Sequence, residues 1–146
     1  REHMPEPNYD QRDAEQLLFG HAIDWSDSSG GTVHFDNLDT ATARAAMARG
    51  VIDPDDRQNY SPTAEEFIAF ASALEGEYAG VKCRFIGYMV SPSRDDARTT
   101  LEGIWIEGDG RPVPPDATVQ ALTWVTEYGP DERSIERDGG IYAWWD

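Results

Sequence analysis

Two histidines lie close to aspartates in this chain: His21 with Asp24, and His34 with Asp36. An imidazole beside a carboxylate can pass a proton, and two such pairs could hold a divalent metal. The spacings match no compact ligand motif such as H-E-x-x-H. In a chain with 28 acidic residues, aspartates fall beside histidines by composition alone, so neither a metal nor a cofactor is expected. The single cysteine, Cys83, stands in an apolar run with no base nearby in sequence, which marks a buried, inert thiol and excludes an internal disulfide. Ser26, Ser28 and Ser29 occupy a glycine-bearing loop without a G-x-S-x-G elbow, and the glycine clusters lack the lysine of a phosphate loop. No enzyme signature emerges, and the chain is expected to be non-enzymatic.

The only lysine, Lys82, stands two positions before Arg84 in the stretch VKCRFIGYMV. In a strand, residues two apart share a face, so Lys82, Arg84 and Tyr88 are expected on one side of a sheet. There they would form a positive spot in a strongly negative field, open to an anion or an acidic partner. The competing expectation is cross-strand pairing with Glu102 or Glu107. Trp124 and Tyr128, read as part of another strand, complete the candidate binding face. Trp144 and Trp145, adjacent in a last strand, must point to opposite sides, so one can be core while the other either packs at an edge or serves as a protein-contact anchor.

The elements that position these residues follow from pattern. Residues 13–23 read as a short helix weakened by Gly20, and 32–35 as a short strand. Asp39 caps a helix over 40–49, with Gly50 at its end. In SPTAEEFIAFASALEG, either Ser61 caps with Pro62 in the first turn, or Thr63 caps with Glu66 reaching back. Phe67, Phe70, Ala71 and Leu74 then form one apolar stripe, and Gly76 terminates it. Four segments, 81–91, 99–107, 118–128 and 134–144, have strand composition and are separated by Pro-, Gly- and Asp-rich turns. The expected fold is α+β: two to three N-terminal helices on a four-stranded, possibly five-stranded, antiparallel meander.

Helices followed by a curved antiparallel sheet resemble the NTF2-like cone folds in element order. That resemblance implies a pocket lined by Tyr88, Trp105 and Trp124, taking a small ligand or working as a small enzyme.

Length and charge set the remaining bounds. Arg1, Glu2 and His3, ahead of Met4, read as vector-derived residue, leaving 4–146 as one α+β domain. The formal charge is −16, and all 12 basic residues except Lys82 are arginine. With five Trp, six Tyr and five Phe alongside this diffuse acidity, the chain reads as a folded domain with a heavily solvated surface, in the compositional style of salt-accumulating haloarchaea. No membrane-spanning run is visible, and the simplest compartment is the cytoplasm. The charge disfavours direct nucleic-acid binding. The expected partner is a protein, with a small ligand as the alternative, and a phosphate-mimicking inhibitor of a DNA-binding protein as a third reading. Because a coat of like charge is relieved by screening, the melting temperature should rise clearly between about 0.1 M and about 2 M KCl. A flat or falling melting temperature would remove the halophilic reading.

Overall fold

The computed structural model describes residues 9–146. The expectation for residues 1–3 lies outside them. The chain runs through α1 (Gln11–Phe19), a 3₁₀ turn (Trp25–Asp27), β1 (Thr32–Asp39), α2 (Thr40–Ala48), α3 (Ala64–Glu77), β2 (Val81–Val90), β3 (Thr99–Gly108), α4 (Pro115–Glu127), β4 (Glu132–Ile135) and β5 (Ile141–Trp144). The fold is α+β with an open five-stranded antiparallel sheet, more helical than the sequence suggests.

Caps explain the helix starts. Asp10 accepts from the backbone N–H groups of Arg12 and Asp13, and Asp39 accepts from that of Thr42 at 2.7 Å. Of the two starts open to α3, the reciprocal one is adopted. Glu66 Oε1 accepts from the Thr63 N–H at 3.0 Å, while Thr63 Oγ1 accepts from the Glu66 N–H at 3.2 Å. Gly76 does not terminate α3, which runs on to Glu77 with Tyr78 as its cap.

Two expected strands are corrected. Residues 118–127 belong to α4, with Tyr128 as its C-cap. Their alternating β-branched and aromatic residues suit a strand, but Pro115 opens a helical turn and the buried residues are Ala117, Ala121 and Val125, spaced by four. Residues 134–144 are a hairpin and not one strand. The chain reverses at 136–140, where Gly139 has φ +88° and the Glu136 N–H donates to the Gly140 carbonyl at 2.7 Å. A plain meander is also ruled out, because the order is β1-β2-β3-β5-β4. The chain leaves β3 through α4, returns at the sheet edge as β4, and inserts β5 between β4 and β3.

One face of the sheet carries the core. Cys83, Phe85 and Met89 of β2, Leu101, Ile104 and Ile106 of β3, and Ile141 and Ala143 of β5 are all buried there. Against them pack Phe67, Ala71 and Leu74 of α3, Ala43 and Ala46 of α2, Leu18 of α1 and Val125 of α4. The apolar stripe expected on α3 is therefore the centre of this layer, with Phe70 half-buried at its rim. Trp124 stacks on Phe70 at 4.1 Å, and Glu66 Oε2 accepts from the Tyr128 hydroxyl at 2.8 Å, joining α4 to α3. Among the described residues, no helix covers the opposite face of the sheet, and no helix is long and apolar enough to cross a membrane.

Candidate functional face

The uncovered face is built by alternation along β2, β3 and β5. Lys82, Arg84, Ile86 and Tyr88 point to it, while Val81, Cys83, Phe85 and Met89 point to the helices. Registers extend the pattern across strands: Lys82 lies opposite Glu107, Arg84 opposite Trp105, Ile86 opposite Gly103, and Trp105 opposite Tyr142. The expected sharing of one sheet face by Lys82, Arg84 and Tyr88 is what the fold produces.

The expected positive spot is not. Lys82 Nζ lies 3.4 Å from Asp109, and Arg84 Nε lies 3.3 Å from Glu107 while its guanidinium also reaches Asn37. Each cation lies against a carboxylate, as the competing expectation of ion pairing had it. Glu107 was one of the two expected partners. The other, Glu102, sits elsewhere.

Glu102 owes its position to a β-bulge. The pairing of β2 with β3 slips between Ile86 and Gly87: Ile86 faces Gly103, but Gly87 faces Leu101. Glu102 is the extra residue. It is only 7% exposed, and His34 Nδ1 of β1 comes within 3.5 Å of its carboxylate. His34 stands directly opposite Tyr88, their rings 5.4 Å apart. The Tyr88 hydroxyl in turn accepts from Arg98 at 2.9 Å and donates to Gln58 at 3.2 Å, which ties the 53–61 connection to this end of the face. Asp56 of the same connection accepts from the Thr100 hydroxyl, and burial pushes its carboxyl above the usual range.

The aromatic centre lies on β3 and β5. Trp105 and Tyr142 rest against each other with ring centroids 4.5 Å apart, and Trp144 continues the strip opposite Gly103. Burial raises the pKa of the Tyr142 hydroxyl, and the nearby carboxylates of Glu132 and Glu102 raise it further. Beyond Trp105 the face deepens into a cleft of about 410 Å³, lined by Trp105, Glu107, Glu136, Arg137, Asp138 and Gly140.

The tryptophan pair divides as strand geometry requires. Trp145 is 1% exposed, with its indole N–H donating to the Tyr128 carbonyl at 3.0 Å, whereas Trp144 is half-buried on the open face. Trp124 and Tyr128 are corrected as members of the binding face. Trp124 sits on α4 and Tyr128 caps it, and Trp124 packs edge-on to Phe67 as well as stacking on Phe70. They lie across the sheet from Tyr88 and Trp105, so the three-residue pocket implied by a cone fold does not form.

The remaining chemical candidates disperse. His21 Nδ1 lies 2.8 Å from the Ala22 carbonyl, while Asp24 caps the 3₁₀ turn through Ser26, which holds its carboxyl below the usual range. His34 turns to Glu102 and not to Asp36. Among the described residues, no group of three His, Cys, Asp or Glu side chains could hold a metal ion. Cys83 is buried in the core, and desolvation followed by the charge of Glu75 pushes its thiol well above the usual range. The sequence reading missed Glu102, Tyr142 and Trp144 as neighbours on one face. The D-G-G turn at 138–140 was the available signal for the β4–β5 hairpin that brings the latter two there. Comparison with protein-family models, with curated proteins and with solved structures finds no match to this chain.

Proposed function

We propose that this chain is a small acidic, non-enzymatic interaction module that docks a protein partner on the open face of its sheet. The observation that carries this reading is the Trp105–Tyr142 pair, with Trp144 and Ile86 beside it, on a face that no described helix covers. Tryptophan and tyrosine supply much of the binding energy in protein contacts because they bury large areas at low entropic cost. Lys82, Arg84 and Tyr88 lie on the same face and belong to the contact as its polar rim. The diffuse acidity accords with a salt-rich cell interior.

A small enzyme is the second reading, and His34 with Glu102 is the observation that favours it. A carboxylate at Nδ1 leaves Nε2 of an exposed imidazole free to act as a base. The His34 side chain is 65% exposed, so its ring is open to water, which is why docking is preferred.

Affinity capture from lysate of the source organism tests the proposal. The double variant Tyr142→Ser/Trp144→Ser should lose at least tenfold in capture of a discrete partner. Val119→Ser, on the exposed side of α4, should capture like the wild type. The charge reversal Lys82→Glu/Arg84→Glu breaks two half-exposed ion pairs, each worth at most about 1 kcal/mol, so it should stay folded, and a change in its capture in either direction would place these two residues in the contact. Full capture by the Tyr142/Trp144 variant, shown folded by its melting curve, would remove the open face from consideration.

A further inference from the structure

Resting on the reading of the open face as a docking surface, we propose that its partner is a basic protein, one arginine of which seats against Trp105 in the 410 Å³ cleft at the end of the face. Three observations carry this.

First, the face has an acidic surplus that its own cations do not remove. Lys82 is matched by Asp109 and Arg84 by Glu107. Glu132, opposite Trp144, and Glu136 and Asp138 of the cleft remain around the aromatic strip, with Arg137 as the one cation beside them in the cleft lining. A partner surface that buries the strip must meet these carboxylates, and a like-charged or neutral one would leave them desolvated without compensation.

Second, the cleft combines an indole wall with carboxylates on two sides. Glu107, which also holds Arg84, approaches from β3, and Glu136 and Asp138 from the β4–β5 turn on either side of the exposed Arg137. An aromatic face flanked by carboxylates suits a guanidinium, which is planar, weakly hydrated, and able to stack while its N–H groups are accepted in plane. The carboxylates are already oriented. Glu136 accepts from the Ser134 hydroxyl at 3.2 Å, and Asp138 accepts from the Gly140 N–H at 3.0 Å.

Third, the other end of the face holds such an arrangement within the chain itself. Arg98 lies 5.6 Å from the centroid of Tyr88 and within 3.6 Å of the Asp96 carboxylate. The same chemistry is therefore satisfied internally at Tyr88 and presented outward at Trp105.

Binding of a nona-arginine peptide, with nona-citrulline as its neutral isostere, tests the proposal in about 0.15 M KCl, where charges beyond about 8 Å are largely screened. Nona-arginine should bind at least tenfold more tightly than nona-citrulline. That binding should fall at least tenfold in Trp105→Ala, and also in Glu107→Gln/Glu136→Gln. The latter are nearly isosteric changes at a half-exposed and an exposed carboxylate. They cost little beyond the half-exposed Arg84 ion pair and keep the proposal testable should Trp105→Ala unfold. Glu65→Gln/Asp116→Asn removes the same charge from the helix layer and should change binding less than twofold. An equal loss in that control would assign the binding to diffuse charge, and no loss in the cleft variants would remove the arginine seat. Either outcome overturns this proposal while leaving partner capture through Tyr142 and Trp144 as a separate result.

Discussion

Replacing Phe67 with alanine should destabilise the protein by about 4 kcal/mol, the middle of the range for buried phenylalanine truncations, and lower its melting temperature by more than about 10 °C. Phe67 is fully buried, and its ring meets three others edge-on: Phe85 of β2 at 5.8 Å, Trp124 of α4 at 6.0 Å and Trp145 after β5 at 5.5 Å. One side chain thus joins α3, α4 and both halves of the sheet. Its removal forfeits the transfer free energy of the ring and leaves a cavity between large rigid groups. Those groups cannot close the gap by rotamer changes, because Trp145 is held by its N–H bond to the Tyr128 carbonyl and Trp124 by stacking on Phe70. Tyr60→Ala is the control. At 79% exposure, Tyr60 should contribute within about 0.5 kcal/mol of nothing. A loss below about 1 kcal/mol for Phe67→Ala, measured by denaturant melts at fixed salt, would show that the aromatic cluster collapses around the gap.

The same cluster shows why part of the fold was legible in the sequence and part was not. Strand β2 and helix α3 follow from local signals alone, since period-two alternation and a reciprocal Thr63–Glu66 cap each act within a few residues. The segment 118–128 carries both periods. Val119, Ala121, Thr123 and Val125 alternate, while Ala117, Ala121 and Val125 repeat every four residues. Tertiary packing decides between them: Trp124 finds Phe70 and Phe67 only on a helix beside α3. Intrinsic strand preference is a weak prior that such contacts override. Tyr128 then leaves the sheet face with the rest of α4.

For the site, the face shared by Lys82, Arg84 and Tyr88 was legible because it needs only the two-residue repeat of one uninterrupted strand. Its cross-strand partners were not. Counting by twos from Trp105 puts Leu101 on the open face and turns Glu102 toward the helices. The bulge reverses both, so Leu101 is 2% exposed in the core and Glu102 meets His34 outside. A one-residue slip of register exchanges the two faces of a strand, and within β3 the one hint of it is Gly103, beside the extra residue.

The residue that permits the slip is on the neighbouring strand, and Gly87→Ala should cost at least about 3 kcal/mol, or about 10 °C in melting temperature. Gly87 faces Leu101 across the bulge, and its φ is ordinary, so the constraint is close approach and not backbone strain. A Cβ there would lie 2.6 Å from Phe35 Cζ and closer still to the carbonyl oxygen of Thr100. Phe35 is 7% exposed and packed edge-on against Phe19 at 6.0 Å, and the Thr100 carbonyl is backbone within β3. Neither contact is the free end of a flexible side chain. The chain could relieve the clash by erasing the bulge, but that would turn the Glu102 carboxylate into the core and expose Leu101. The alanine variant should therefore lose stability and also lose the His34–Glu102 contact, read as a shift of the His34 ring resonances by NMR. A Gly87→Ala protein with unchanged melting temperature and unchanged His34 resonances would mean that β3 tolerates the added methyl without moving. Glycine would then not be what holds Glu102 on the open face.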